Sequence, residues 1–405
     1  MASISPSKAW RIVLDHVAPL TSVRVPLSQA MRACLARDIR ADRDIPPTDR
    51  SAMDGYAVRA RDIASSGTSL RLVGESAAGA PTRPGVKPGT CVRTLTGAVV
   101  PRGADAVVKV EETKSDEQRV TFLTTIKSGT NIRRRAEVAA KGDIVLARGT
   151  MLGPSQIGMC ASVGKAAIAV HRRPSVAVLC TGRELRDASD TVRAYQLRNS
   201  NGPSLLAALA DEGHVQASQQ TVGDDLSTLA ATLKTAIAGH DVVILTGGVS
   251  VGKYDFVPGA VRQIGATIRF HGVKMKPGGP QLYATIGRNR HIFGLPGNPL
   301  SALNGLHELA LPAIRRMSGV DPKACQPALH LPLGKAVRVK GTRWEYVLAR
   351  LVQGPGQSHL LPLKSTGSGD LLAAAQSDGV CLIPKGAKEV PAGQVVEFRP
   401  WKTLA

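Results

Sequence analysis

The sequence predicts a multidomain α/β protein built around a central, mostly parallel α/β domain, and three observations predict it. Apolar strand-like runs at Val176–Leu179, Val215–Val222, Val242–Leu245 and His291–Gly294 alternate with helix-like segments, the alternation that builds a parallel sheet covered on both faces. From Ser51 to about Ile132 the pattern changes to short β-like runs separated by Gly and Pro, a β-rich insertion. After Val320 short strands return to the end of the chain, a β-barrel-like terminal domain. A length of 405 residues is enough for roughly two to four domains, each with its own core.

In chain order, Ile12, Val13, His16 and Val17 at helical spacing predict a helix over Lys8–Leu20, and a second is expected over Ser28–Asp38. The segment DIPPTDR (Asp44–Arg50) is an extended crossing, because each proline biases the residue before it away from helix. Leu70–Val73, Cys91–Leu95, Ala106–Val110 and Val120–Leu123 are the strands of the insertion. Gly142–Gly164 reads as a strand, a turn and a short helix. In the α/β domain the helices are expected near Pro203–Glu212, Asp225–Ala238, Pro258–Ile264 and Leu300–Met317. Neither an internal repeat nor a low-complexity tract is visible.

Lys and Arg outnumber Asp and Glu by 52 to 31, a net charge of +21, so the favoured partner is an anion. Nucleic acid is disfavoured: aromatic residues make up only 3% of the chain, and no basic tract is interleaved with stacking side chains. The six cysteines are far apart with no CxxC pair, which argues against a zinc site and against a disulfide framework. No signal-like apolar core opens the sequence, and no apolar run approaches the roughly 20 residues that span a bilayer. The chain reads as cytoplasmic, without a membrane partner.

Two turns stand out. TGGVSVGKYD (Thr246–Asp255) follows the buried run Val242–Leu245 and precedes a helix, which places bare backbone N–H groups where an anion can sit. About fifty residues on, LPGNP (Leu295–Pro299) repeats the arrangement, with Pro299 suited to the first helical position. Both turns, and the one at Thr181, fall at the carboxyl ends of strands, where ligands of such sheets bind. They point to a phosphate or a pterin-like anion.

Several segments then carry a family resemblance. SAMDGYAVRA (Ser51–Ala60), LTGAVVPRGADAVVKVEE (Leu95–Glu112), GTNIRRRAE (Gly129–Glu137), TGREL (Thr181–Leu185), RNSNGPSLL (Arg198–Leu206), TGGVSVGKYD, KPGGP (Lys276–Pro280) and LPGNPLSAL (Leu295–Leu303) together resemble the molybdopterin molybdotransferases, the MoeA and gephyrin E-domain family, in order over nearly the whole chain. The resemblance implies an elongated N-terminal domain (1–47 with 137–172), the inserted β-rich domain (48–136), an α/β molybdopterin-binding domain (173–322) and the C-terminal β-barrel-like domain (323–405). It implies insertion of molybdate into adenylylated molybdopterin with release of AMP. It further implies an elongated homodimer whose site is lined by both subunits, assistance by Mg2+, a molybdopterin adenylyltransferase upstream, and a molybdoenzyme or cofactor chaperone downstream.

Under that resemblance Asp54, Glu184, Asp255 and Lys276 are the catalytic candidates, the three acids also being the metal candidates. Thr96, Thr181, Gly182, Ser200, Asn201, Gly247, Gly248, Ser250, Gly252, Pro296, Gly297, Asn298, Pro299 and Ser368 are the cofactor-binding candidates. Read from the residues alone, alternatives stay open. Asp54 sits in an Asp-Gly turn and Asp105 in a Gly-Ala-Asp turn, where local hydrogen bonding is reason enough for the residue. Ser200, Asn201, Asp224 and Asp255 stand where helices begin and could cap them. Thr96, before a glycine, can aim its hydroxyl and the following N–H at one oxyanion. Lys276 would reach an anion as a point charge. Arg343 is a weaker candidate, and Ser301 could be only a first-turn residue. Ser368, in STGSGD, lies either at the site or in a surface loop.

The chain also departs from the family pattern. Ala136, Glu137 and Val138 stand for Gly-Glu-Asp, Arg183 stands for an Asp before Glu184, Gly279 replaces a lysine in KPGGP, and Gly272 replaces a basic residue. The departures bear on metal affinity and substrate preference, and they keep a second reading in play: a pterin-binding carrier, sensor or scaffold without turnover.

Overall fold

A computed structural model describes residues 2–80, 84–213, 217–223, 225–250, 252, 255–354 and 356–401. The chain forms two compact units, one of residues 1–36, 149–153 and 167–405, the other of 37–148 and 154–166. The expected β-rich insertion lies inside the second unit.

The first unit is organised by a six-stranded sheet. Its strands run in the order Ala217–Val222, Val176–Thr181, Val242–Thr246, Arg290–Leu295, Leu282–Ile286, Thr267–His271. The first four are parallel and the last two pairings are antiparallel, so Leu282–Ile286 alone runs against the rest. Strands Val176–Thr181 and Val242–Thr246 are buried throughout, because helices cover both faces. Val176, Val178, Cys180, Val242 and Ile244 pack on one side with Leu205 and Leu209 of helix Asn201–Asp211. Ala177, Leu179, Val243 and Leu245 pack on the other with Leu229, Leu233 and Ile237 of helix Leu226–Gly239.

This connectivity positions the site. From Val176–Thr181 the chain leaves over one face to an edge strand, then returns over the opposite face to Val242–Thr246 on the far side of the starting strand. The direction of winding therefore switches between the carboxyl ends of these two strands, where a crevice opens.

Some expectations are corrected. The first helix is Pro6–His16, with Ser5 as N-cap, and it stops before Leu20: the Val17 backbone is already extended and Pro19 follows. No α-helix forms over Ser28–Asp38. After a single 3-10 turn at Leu27–Gln29, the backbone N–H groups of Arg32, Leu35 and Ala36 donate to Leu152, Thr150 and Ala169, so long-range pairing replaces the local ladder while Ala30, Ala33, Cys34 and Leu35 are still buried. Two antiparallel strands of the central sheet, Thr267–His271 and Leu282–Ile286, lie outside the expected set. Helix Pro299–Gly305 continues through a π-helical turn, Leu306–Ala310, into helix Leu311–Met317. Asp224 and the first residues of the strand expected from Val215 lie outside the described residues.

The C-terminal strands belong to the same unit. Strands His359–Pro362, Trp344–Val352, Gly379–Ile383, Val395–Pro400 and Leu329–Pro332 pair in that sequence. A bridge from Leu333 to Leu360 closes the sheet on itself around Ala349, Cys381, Ile383 and Phe398, the barrel-like form expected.

The second unit holds a six-stranded sheet in the order Ala106–Lys109, Gly55–Val58, Thr90–Thr94, Ser69–Ser76, Arg119–Phe122, Thr113–Ser115. Its core is Tyr56, Val58, Leu70, Cys91, Val108, Val120 and Phe122. Gly55 is obligatory, since a Cβ there would collide with the Val108 carbonyl. The strand Ile144–Leu146 and helix Pro154–Ser162 match the expected return segment. Among the described residues no helix is long and apolar enough to cross a membrane.

Candidate functional site

In the first unit the site is built at the switch point. Gly247 and Gly248 follow strand Val242–Thr246 with φ of 89° and 62°, the left-handed region that glycine tolerates. A Cβ on Gly247 would stand 2.5 Å from the Thr181 carbonyl oxygen and 2.8 Å from Thr181 Oγ1, so the two strand ends lie against each other without room for a side chain. The second turn abuts the first, with a Cβ on Gly297 placed 3.4 Å from Gly247 Cα.

Asn201 ties both turns to a helix start. Its Nδ2 donates to Thr246 Oγ1 at 2.7 Å and to the Gly297 carbonyl at 2.8 Å. Thr246 Oγ1 in turn donates to the Pro296 carbonyl at 3.2 Å. Ser200 is the N-cap residue of helix Asn201–Asp211, but its side chain makes no capping bond. That work falls to Asn199, whose Oδ1 accepts the Gly202 N–H at 3.0 Å. Asn199 is not among the sequence candidates; its one signal is an Asn three residues before a glycine in a helix's first turn.

Asp255 does not aim outward. Its Oδ1 accepts the Ser250 N–H at 2.9 Å and its Oδ2 accepts the Gly252 N–H at 2.6 Å. The carboxylate closes its own loop, and the following helix starts at Val257 with Phe256 as N-cap. Ser250 and Gly252 thus spend their N–H groups on Asp255, and the buried Gly247 spends its own on the Leu295 carbonyl, which leaves Gly248 as the close-approach glycine among the described residues of the turn. Glu184 sits against Gly182, where a Cβ would lie 2.8 Å from its Oε1.

LPGNP leads from this crevice into an open cleft of about 810 Å3. Pro299 occupies the first helical turn as expected, and Asn298 Nδ2 donates to Ser368 Oγ at 2.8 Å, which joins the STGSGD loop to the site. Lys276, Lys335, Arg338, Arg343 and Lys364 line the cleft, against one acid, Glu345. Lys276 Nζ pairs with that acid at 3.1 Å and stays partly exposed, so it meets an incoming anion from an ion pair and not as an isolated charge. Ser301 also lines the cleft. Lys335, Arg338 and Lys364 were not singled out from sequence: they occupy no turn motif, and only the net charge announced them.

Two departures acquire structural reasons. A Cβ on Gly279 would stand 3.4 Å from Arg343 Nη1, so the bare glycine leaves this place to a guanidinium. A Cβ on Gly272 would stand 2.6 Å from Ser3 Oγ, so the N-terminal segment fills that space.

The second unit carries its own cluster. Antiparallel pairing of Gly55 with Thr94 brings the residues flanking these strand ends together. Asp54 Oδ1 accepts the Thr96 N–H at 2.6 Å and the Thr96 hydroxyl at 2.7 Å. The Thr96 backbone N–H first, and its hydroxyl second, hold the Asp54 carboxyl below the usual carboxylate range. Thr96 therefore donates to Asp54. Asp105 Oδ1 accepts the Ala60 N–H at 2.6 Å, a local turn contact. Among the described residues no group of three or more His, Cys, Asp or Glu side chains could hold a metal ion.

Comparison with known proteins agrees over the full length. Residues 4–164 match the MoeA N-terminal region (domain I and II), 177–316 a probable molybdopterin binding domain, and 330–401 the MoeA C-terminal region (domain IV). The molybdopterin molybdenumtransferase of Staphylococcus aureus (strain MSSA476) is 32% identical over 404 residues, covering 98% of this chain and 95% of the relative. That of Staphylococcus epidermidis is 32% identical, covering 97% and 94%. The crystal structure of the molybdopterin biosynthesis MoeA protein from Pyrococcus horikoshii OT3 superimposes with a TM-score of 0.84 at 26% identity, covering 98% of this chain and 100% of that one.

Proposed function

This chain belongs to the MoeA family of molybdopterin molybdenumtransferases, and on that premise we propose that it inserts molybdate into adenylylated molybdopterin with release of AMP. The observation that carries the reading is the meeting of two glycine turns, tied by Asn201 at the sheet's switch point, with a cleft lined by five cations and a single acid. Substrate phosphates are held at the turns, with Gly248 and the exposed Gly297 as the backbone positions a ligand approaches, while Gly247, whose N–H donates to the Leu295 carbonyl, packs the two strand ends together. Molybdate, a tetrahedral dianion, is drawn to the cleft, with Arg343 and Lys276 as its principal partners. Asp54, kept ionised by Thr96, orients the attacking oxygen while the phosphoanhydride opens and AMP leaves.

A divalent ion would neutralise charge on the leaving phosphate. Hard carboxylates suit Mg2+, which commonly takes one or two protein ligands and completes its shell with phosphate oxygens and water, so each of Asp54, Glu184 and the remaining lone pairs of Asp255 is a candidate ligand that needs no larger acidic cluster. The same reading includes a homodimer in the cytoplasm, supplied by an adenylyltransferase and drained by a molybdoenzyme or cofactor chaperone. Incubating the pure protein with adenylylated molybdopterin and molybdate should give molybdate-dependent AMP. Tight pterin binding with no AMP, from either molybdate or tungstate, would instead establish a carrier.

A further inference from the structure

The loop Lys276–Pro280 forms one wall of the cleft, carrying Lys276 at its start and backing Arg343 at Gly279. Beneath it lie two amide side chains with no solvent exposure, Gln281 and Asn304. Asn304 belongs to helix Pro299–Gly305, the helix that begins in the LPGNP turn, and its Nδ2 donates to the Pro277 carbonyl at 3.0 Å. The Gln281 amide is wedged between two glycines. A Cβ on Gly278 would stand 2.9 Å from Gln281 Nε2, and one on Gly305 would collide with the whole amide. Along the backbone, the Gln281 N–H donates to the Gly279 carbonyl at 2.9 Å, and its own carbonyl accepts the Gly272 N–H at 2.7 Å.

This arrangement is a poor one for stability. Among the described residues, Gln281 Oε1, Gln281 Nε2 and Asn304 Oδ1 have no hydrogen-bond partner although buried, and such atoms destabilise a fold. Gly305, inside a continuous helical run, adds the usual penalty of glycine in a helix. A methionine at position 281 would fill the space without orphaned polar atoms, whereas an apolar residue at 304 removes the orphaned Oδ1 but also the donor to the Pro277 carbonyl. What the pair does do is hold the carbonyl after Lys276 and the chain around Gly278 and Gly279, fixing the cleft wall to the helix of the glycine-turn site.

We propose that Gln281 and Asn304 are positioning residues that set the oxyanion affinity of the cleft by fixing the Lys276–Pro280 loop, without themselves touching the anion. The inference rests on the oxyanion reading of the cleft given above. Met275 and Lys276 pair in register with Trp344 and Glu345. A loosened loop therefore shifts the Lys276–Glu345 pair and the backbone behind Arg343, so two cations lose their joint aim at one site.

The test uses the full chain, tungstate as a directly titrated probe, and the AMP assay. In Asn304→Leu and Gln281→Met the tungstate Kd and the molybdate KM should rise about tenfold, since a misplaced loop weakens charge convergence. The affinity for adenylylated molybdopterin and kcat at saturating molybdate should stay within about twofold of the parent. The thermal midpoint should be equal or higher in Gln281→Met, where two orphaned amide atoms are removed, and little changed in Asn304→Leu, where loss of the orphaned Oδ1 is offset by loss of the donor to the Pro277 carbonyl. Unchanged tungstate affinity and molybdate KM in both variants would overturn the proposal. So would a loss of tungstate affinity that comes with a lowered midpoint and a matching loss of pterin affinity, which marks a merely structural role. A parent protein that binds no tungstate refutes the cleft reading itself, before any variant is compared. If Asn304→Leu fails to fold, Gln281→Met decides alone.

Discussion

Asp54 and Gly247 show how differently two site residues respond to substitution. Asparagine at position 54 keeps an acceptor oxygen for the Thr96 N–H and hydroxyl, so Asp54→Asn should fold and bind pterin normally while losing the charge. AMP release is expected to fall by about a hundredfold or more, as when a charged group acting at the reaction centre is removed. Release at the parental rate would reduce Asp54 to a turn residue. Gly247 allows no such separation. Its φ of 89° and the 2.5 Å approach of a Cβ to the Thr181 carbonyl make Gly247→Ala destabilising by about 1–3 kcal/mol, measurable by denaturant unfolding. Gly248→Val belongs with it: at φ 62°, with Thr181 Oγ1 3.2 Å and the Val257 side chain 3.4 Å from a Cβ, the β-branched residue strains the fold before any ligand arrives.

For the glycine-turn loop, the controlling residue is Asp255. Its two carboxylate oxygens each serve one backbone donor, Ser250 and Gly252. An asparagine can accept at one of these and presents an N–H to the other, so Asp255→Asn is not the neutral isostere that Asp54→Asn is. We expect a stability loss of about 1 kcal/mol, comparable to losing a helix cap. Faster amide exchange at Ser250 or Gly252 should accompany it, along with a weaker pterin Kd. Unaltered exchange at both amides would show that the carboxylate does not hold the loop.

Across the whole first unit, buried titratable groups set the acid limit. Burial pushes the His291 imidazole down to about 4 and the His307 imidazole to about 3; His307 is stacked on Trp401, and nearby Arg315 acts in the same direction. Both are lowered from near 6.5, so the unfolded chain binds the extra protons. Their stabilisation is present above pH 6.5 and is lost as pH falls toward the folded values, by about 1.4 kcal/mol per pH unit for each histidine. Glu308 opposes them. Burial raises its carboxyl to about 7 against the pull of Arg399, so its contribution is complete below the unfolded value and is lost as pH rises through 7. Two protons outweigh one, and net stability should drop between pH 6.5 and 5. Unfolding midpoints at the two pH values test this, and His307→Gln should remove most of the net slope, because the one proton left at His291 is then offset by the one at Glu308. An unchanged slope in that variant would show that His307 does not carry the effect.

The local pattern of the sequence determined much of this. Continuous apolar runs were enough to place the parallel strands, because a strand buried on both faces needs no polar alternation. Gly-rich turns after those runs located the crevice, and the ordered motifs identified the family. Other features depended on partners far away in the chain. The segment Ser28–Asp38 carries a helical pattern yet spends its N–H groups on residues 150–169, a choice that local propensity does not encode. Asp255 reads in sequence as a site acid, and only the closed loop shows its oxygens turned inward. Lys335, Arg338, Arg343 and Lys364 gain meaning when the C-terminal sheet curls to set them around one cleft. Gln281 and Asn304 look like surface amides until packing buries them under the Lys276 loop. Sequence by itself determined the elements and the chemistry at their ends, since these follow from near neighbours. Tertiary structure decided which charges converge and which polar groups lose water, because both depend on residues brought together only by folding.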